Sequence, residues 1–232
     1  MLLTTLFAVF QASASIPSVS PIELLSLPEI HRLEIAKKNA KELYPQLVEM
    51  AFNDQRSVPT RWKALILAAN INQDHSTSAL DRALKSDDWF MRNAALVAMK
   101  TIDPEKAQKV ALELLNDKAL VVRSAAISVI DQKPSTEIRE ILWNELHAAH
   151  NYRQNQSLWV RREIVEKLAL HPTNQEYSSF IEVLKDSDKD LHLAAIHGLE
   201  KLTKKHLGSS KITASNREKL WTDYVKKNPV LR

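Results

Sequence analysis

The stretch DKALVVRSAAISVI (117–130) decides the fold, because its pattern of side chains recurs along the chain. QRSVPTRWKALILA (55–68), SDDWFMRNAALVAM (86–99), NQSLWVRREIVEKL (155–168) and DSDKDLHLAAIHGL (186–199) align with it. The seventh column of the alignment holds Arg61, Arg92, Arg123, Arg161 and His192, at steps of 31, 31, 38 and 31 residues. A period that returns to 31 after one longer step marks a structural repeat.

The columns around the basic residue define a helix. One position before it stand Thr60, Met91, Val122, Val160 and Leu191; three after come Ala64, Ala95, Ala126, Ile164 and Ala195. Leu65, Leu96, Ile127, Val165 and Ile196 follow at four, and Ala68, Met99, Ile130, Leu168 and Leu199 at seven. These offsets share one face of a 3.6-residue period, so each segment is an amphipathic helix that buries the same stripe. A second helix precedes each, read from the pairs Leu80/Leu84, Ala111/Leu115, Leu142/Leu146 and Phe180/Leu184. Pro104, Pro134 and Pro172 fall in the short connections before these leading helices, where a fixed φ suits a helix start. The sequence therefore predicts an all-α, right-handed α-solenoid of about five helical hairpins. Residues 55–206 form the array, 15–54 an N-terminal helical cap with the first leading helix, and 207–232 a closing helix and basic tail. Ser215, with Glu218 three residues on, reads as the capping-box start of that closing helix.

The columns resemble the HEAT-like repeats of phycobilisome-lyase-related proteins, in which an Asp precedes a Val-Arg pair and an Ala-rich helix follows. Asp117, Val122 and Arg123 match that pattern in full, and Asp186 keeps the acidic position before Leu191 and His192. Ser86 and Asn155 stand there as other capping residues, and Gln55 departs from it. The resemblance spans about residues 40–205 and implies architecture more than function. It also implies that Arg61, Arg92, Arg123 and Arg161, with Asp117 and Asp186, form a hydrogen-bonded ladder between adjacent repeats, a role that suits the planar guanidinium fork.

Composition narrows the chemistry. No cysteine is present, which excludes disulfides, thiol nucleophiles and cysteine-ligated metals, and only Gly198 and Gly208 are available for phosphate-cradling turns. Neither a cofactor nor a metal is expected; His147 and His150 share a helical turn, but no carboxylate cluster or HExxH context accompanies them. The formal charge of +4 is concentrated in the tail: residues 200–232 carry +6, leaving the body near neutral. Residues 1–22 carry no charge, and the apolar run Leu2–Phe10 leads to Ala12-Ser13-Ala14, a signal-peptide pattern with cleavage after Ala14. The protein is thus expected to be exported, periplasmic or secreted.

Function is expected to be binding of a protein partner without catalysis. If the exposed edge of the second helices lines the concave face, its contacts are Trp62, Asn93, Ser124, Arg162, Glu166, His197 and Lys201. The longer step inserts seven residues within 147–155, and Tyr152 and Arg153 of this loop join them as candidate contacts. Trp89, Trp143, Trp159 and Trp221 are expected to pack between repeats. The basic tail offers a contact for a membrane surface or a cell-wall polymer. Two other readings rest on resemblance. Bacterial alkylpurine DNA glycosylases are built from HEAT-like repeats, but the near-neutral body disfavours nucleic acid; some relatives assist chromophore attachment, but no residue here identifies that chemistry.

Overall fold

A computed structural model describes residues 19–208 and 211–230; the expected signal peptide, residues 1–14, lies outside the described residues. The leading helices are α3 (Ala40–Phe52), α5 (Gln73–Leu84), α7 (Pro104–Leu114), α9 (Thr136–Leu146) and α11 (Tyr177–Val183). They alternate with the second helices α4 (Val58–Ile71), α6 (Trp89–Ile102), α8 (Leu120–Val129), α10 (Trp159–Leu170) and α12 (Asp190–Thr203). Two helices, α1 (Pro21–Ser26) and α2 (Glu29–Lys38), precede the array, and α13 (Ala214–Lys227) follows it. The all-α, HEAT-like solenoid is the architecture observed.

Helix starts follow local chemistry. Pro104 opens α7 behind Asp103, whose carboxylate accepts from the Lys106 amide at 3.0 Å. Ser57 and Ser135 likewise accept from the Thr60 and Ile138 amides at the starts of α4 and α9. The closing helix begins two residues earlier than the sequence indicates: Thr213 is its cap, accepting from Asn216 N at 3.3 Å. Ser215 lies inside the first turn, and the Glu218 carboxylate is drawn away toward Lys189 and His192.

The predicted stripe is the core. Met91, Ala95, Leu96, Val122, Ala126, Ile164, Val165, Leu191, Ala195 and Leu199 are all fully enclosed, as are Leu142, Leu146 and Phe180 of the leading helices. Successive second helices pack directly on one another, α4 on α6, α6 on α8, α8 on α10 and α10 on α12, whereas successive leading helices barely touch. Small side chains at the alanine positions permit that close approach. The second helices are therefore the more closely spaced layer, the one that lies on the inner side wherever such a stack curves.

The tryptophans divide. Trp221 is fully buried, and Trp143 stacks edge-on to Phe180 with ring centroids 5.1 Å apart. Trp89 and Trp159, expected between repeats, are 46% and 54% exposed. Each is the first residue of its helix, where the side chain projects off the end of the rod instead of onto the packed face.

The basic column joins each hairpin to the next. Arg61 Nη2 donates to Asp88 at 3.0 Å, and Arg92 grips Asp117 with Nε and Nη2 at 2.6 and 2.7 Å. Arg123 Nε donates to Asn151 Oδ1 at 3.1 Å, Arg161 Nη2 to Asp186 at 2.6 Å, and His192 Nδ1 stands 3.0 Å from Glu218. Backward bonds complete each rung: Arg92 reaches the Ser86 and Asp87 carbonyls, Arg123 that of Asp117, and Arg161 that of Leu146. Before α6, Ser86 keeps the column's capping role, its hydroxyl accepting from Asp88 N at 3.2 Å, but the acceptor for Arg61 is Asp88. Before α10 the acceptor for Arg123 is Asn151 and not Asn155, because the inserted residues shift the register.

Burial opposes ionisation of Asp117, but the Arg92 fork and the Ala119 amide outweigh it, holding the carboxyl below its usual range. Replacing Arg92 with Ala, which strands Asp117, lowers the unfolding free energy by about 3–5 kcal/mol. Arg61→Ala costs less through its carboxylate, since Asp88 is 46% exposed and such a pair contributes only about 1 kcal/mol. Urea denaturation of the two variants measures the difference.

Candidate binding groove on the inner helix layer

The inner face carries side chains that the stack leaves available and others that it has already engaged. Lys201, one of the expected contacts, donates to the Ala169 and Leu170 carbonyls at 3.0 and 2.7 Å, closing the C-terminal end of α10. Lys100 and Lys167 do the same for α8, reaching Ser128 O at 3.0 Å and Ile130 O at 2.7 Å. Each cation meets the negative end of a neighbouring helix dipole. Burial lowers the Lys167 pKa, helped by the nearby Lys100 charge and opposed by Asp131.

Trp62 and Asn93 also turn toward each other, with Trp62 Nε1 3.4 Å from Asn93 Oδ1. Trp62 helps line a cavity of about 420 Å³ between α2, α4 and α6, together with Ile66, Asn70, Val97 and Thr101. Arg162 pairs with Glu166 one turn on, at 3.0 Å.

Ser124, Glu166 and His197 are brought to one place, a groove of about 640 Å³ between α8, α10 and α12. Its walls are Ile127, Ala169, Leu170, Leu193 and Ala194, and Leu170 and Leu193 are 43% and 48% exposed. Glu163 forms its polar floor: Oε1 accepts from Ser124 Oγ at 2.9 Å, whereas Oε2 is buried without a hydrogen-bond partner among the described residues. Burial is the main cause that raises the Glu163 pKa, with the Glu166 charge adding to it; the Ser124 hydroxyl and Arg162 act the other way. Sequence columns held a signal for this residue. Two positions after the basic column stand Lys63, Ala94, Ala125, Glu163 and Ala194, so an acid occupies a place that three other repeats give to alanine. Leu170 and Leu193 lie on the same exposed edge.

The 147–155 segment is more ordered than a loop. A 3-10 turn, Ala149–Asn151, leads into a hairpin of β1 (Tyr152–Arg153) and β2 (Gln156–Ser157). Gln154 and Asn155 connect the strands with φ of 52° and 61°, the left-handed pair that a two-residue hairpin turn requires. Tyr152 is not presented to solvent as a free contact: its ring lies over the Arg161 guanidinium, 4.4 Å away. Arg153 is exposed. Asn151 is enclosed between Arg123, which needs an acceptor, and the Glu145 carboxylate and carbonyl, which need a donor at 2.9 Å. A carboxamide meets both demands where an aspartate would repel Glu145. His150 is engaged by Glu145, and His147 stands apart from that pair.

One buried fork was not visible as a column. Arg139 Nε and Nη2 bond Glu176 at 2.7 and 2.6 Å, and Trp143 Nε1 donates to the same carboxylate at 2.8 Å. These residues clamp α9 to the turn before α11 and occur in a single repeat.

Stacked hairpins tied by an arginine ladder define the class, a helical repeat protein of HEAT type. Residues 40–131 match the family model described as HEAT repeats, and the chain is a HEAT-like repeat protein. Comparison with the curated proteins gives no match. The matched segment ends at Asp131, ahead of the inserted hairpin; α9 to α12 continue the same geometry beyond it.

Glu163 makes the groove a source of pH-dependent instability. Its pKa is raised on folding, so the penalty is absent below the ordinary glutamate range and grows as pH rises through the folded value. Glu163→Gln is expected to stabilise the protein by roughly 1 kcal/mol at neutral pH, with the gain vanishing near pH 4. Urea midpoints at the two pH values test this; an equal effect at both contradicts the assignment.

Proposed function

We propose that this protein is a non-enzymatic scaffold of an extracytoplasmic compartment, holding a partner protein against the inner face of its second helices. The supporting observation is the groove at α8, α10 and α12, where the half-exposed Leu170 and Leu193 lie beside a buried carboxylate oxygen of Glu163 that has no hydrogen-bond partner among the described residues. HEAT repeats are in general scaffolds, which agrees with this reading. Support for the compartment comes from residues 1–14, whose uncharged apolar run and Ala-Ser-Ala ending suit export. The exposed Arg153 hairpin and the lysines of α13 extend the surface available to such a partner or to an anionic envelope surface.

The arginine column gives the nucleic-acid reading no support. Arg92, Arg123 and Arg161 are 6%, 4% and 1% exposed and bond neighbouring loops, so the column does not track a phosphate backbone.

Photo-crosslinking in cells tests the proposal. A benzoylphenylalanine at position 193 is expected to yield one discrete protein adduct in the extracytoplasmic fraction, with none from position 109 on the outer layer. Equal labelling from both positions, or none from either, contradicts the binding face; recovery of the protein in the cytoplasm contradicts the compartment.

A further inference from the structure

We infer that the groove between α8, α10 and α12 is a receptor for a single arginine or lysine side chain of the partner protein. The inference rests on the scaffold reading only in taking the cation from a protein. The chemistry itself comes from the groove.

Three features converge. The walls are apolar, from Ile127, Ala169, Leu170, Leu193 and Ala194, and Leu170 and Leu193 are about half exposed. The floor is Glu163, whose carboxylate is fixed on one oxygen by Ser124, while its second oxygen is buried and has no donor among the described residues. A buried acceptor left unpaired is costly, and a donor arriving from outside removes that cost. The third feature is the state of the local cations. Lys167 is held by Ile130 O at 2.7 Å and Arg162 pairs with Glu166 at 3.0 Å, so both spend their bonds elsewhere than on Glu163. Lys201 is likewise tied to α10 carbonyls.

A side chain that fits must be apolar along its stem and carry donors at its tip. Lysine and arginine have that construction, and burying the stem while pairing the head is their ordinary amphipathic behaviour. Arginine suits the site better, because a planar guanidinium can pair with the Glu163 carboxylate and still turn remaining donors toward Glu166 at the rim. The cavity of about 640 Å³ exceeds one side chain and accommodates flanking residues of the same segment. An acidic or purely aliphatic ligand leaves Oε2 unpaired and is disfavoured.

The test uses the intact protein with isotope-labelled leucine methyls and the capped peptide acetyl-Leu-Ala-Arg-Ala-Leu-amide. Saturable shifts confined to the Leu170 and Leu193 methyls are expected, with millimolar affinity. The citrulline peptide, neutral but the same shape, is expected to bind roughly tenfold more weakly, as charge-assisted pairing requires. Glu163→Gln is expected to abolish the preference for arginine over citrulline, and leucine methyl shifts of the free variant that match the unsubstituted protein away from the groove show that it remains folded. Equal affinity for the two peptides, an unaltered preference in Glu163→Gln, or no shift at these leucines overturns the inference. Agmatine binding as tightly as the peptide would assign the site to a small free cation and overturn the protein source. Failure here, with a discrete adduct still formed from position 193, leaves the scaffold reading standing and removes only its arginine anchor.

Discussion

A two-helix hairpin of this sequence exposes an apolar stripe that only another hairpin can cover. Met91, Ala95, Leu96 and Met99 of α6 are enclosed because α4 lies on one side and α8 on the other. The same requirement passes along the chain until α2 and α13 end it, the latter by burying Trp221 and Val225 against the last hairpin. Hydrophobic burial supplies the driving force here, but it is non-directional and does not fix where one hairpin sits on the next.

Direction comes from the basic column. A guanidinium buried among loop carbonyls must find its acceptors or leave a desolvated charge, and its fork accepts few arrangements. Arg92 meets this demand with two loop carbonyls behind it and the Asp117 carboxylate ahead, so a slip of one residue would strand both charges. At Arg123 the partner is a neutral amide, and burial without a bonded carboxylate pulls the arginine pKa down. His192 closes the series at α13, where Lys189 and His192 together hold the Glu218 carboxyl below its usual range. Such charged contacts serve register more than net stability, which leaves the apolar seam as the source of most of the folding energy.

Much of this was legible in the sequence because a solenoid repeats its physics. Columns of Ala, Leu and Arg at fixed offsets carry helix phase, buried face and inter-repeat contacts at once, and a single residue such as Asp117 can be assigned by comparison with its counterparts. Features that occur once escaped. Asn151 was hidden by an insertion whose internal alignment has no template, and the Arg139–Glu176 clamp belongs to no column. The groove was partly visible: Ser124, Glu166 and His197 meet there, but Glu163 was overlooked because its column is otherwise small or solvent-facing. Tyr152 and Lys201 looked like free surface residues, yet one covers Arg161 and the other ends α10. Polarity at a surface offset does not tell whether a neighbouring backbone already satisfies the group.

The central claim is that neighbouring hairpins are coupled directly and distant ones are not. A double-mutant cycle on Arg92→Ala and Asp117→Asn, set beside one on Arg61→Ala and Asp117→Asn, measures it. The first pair should show a coupling energy of about 2–3 kcal/mol and the second should add within about 0.5 kcal/mol. Equal coupling in both cycles, or none in the first, would contradict a stack registered by its arginine ladder.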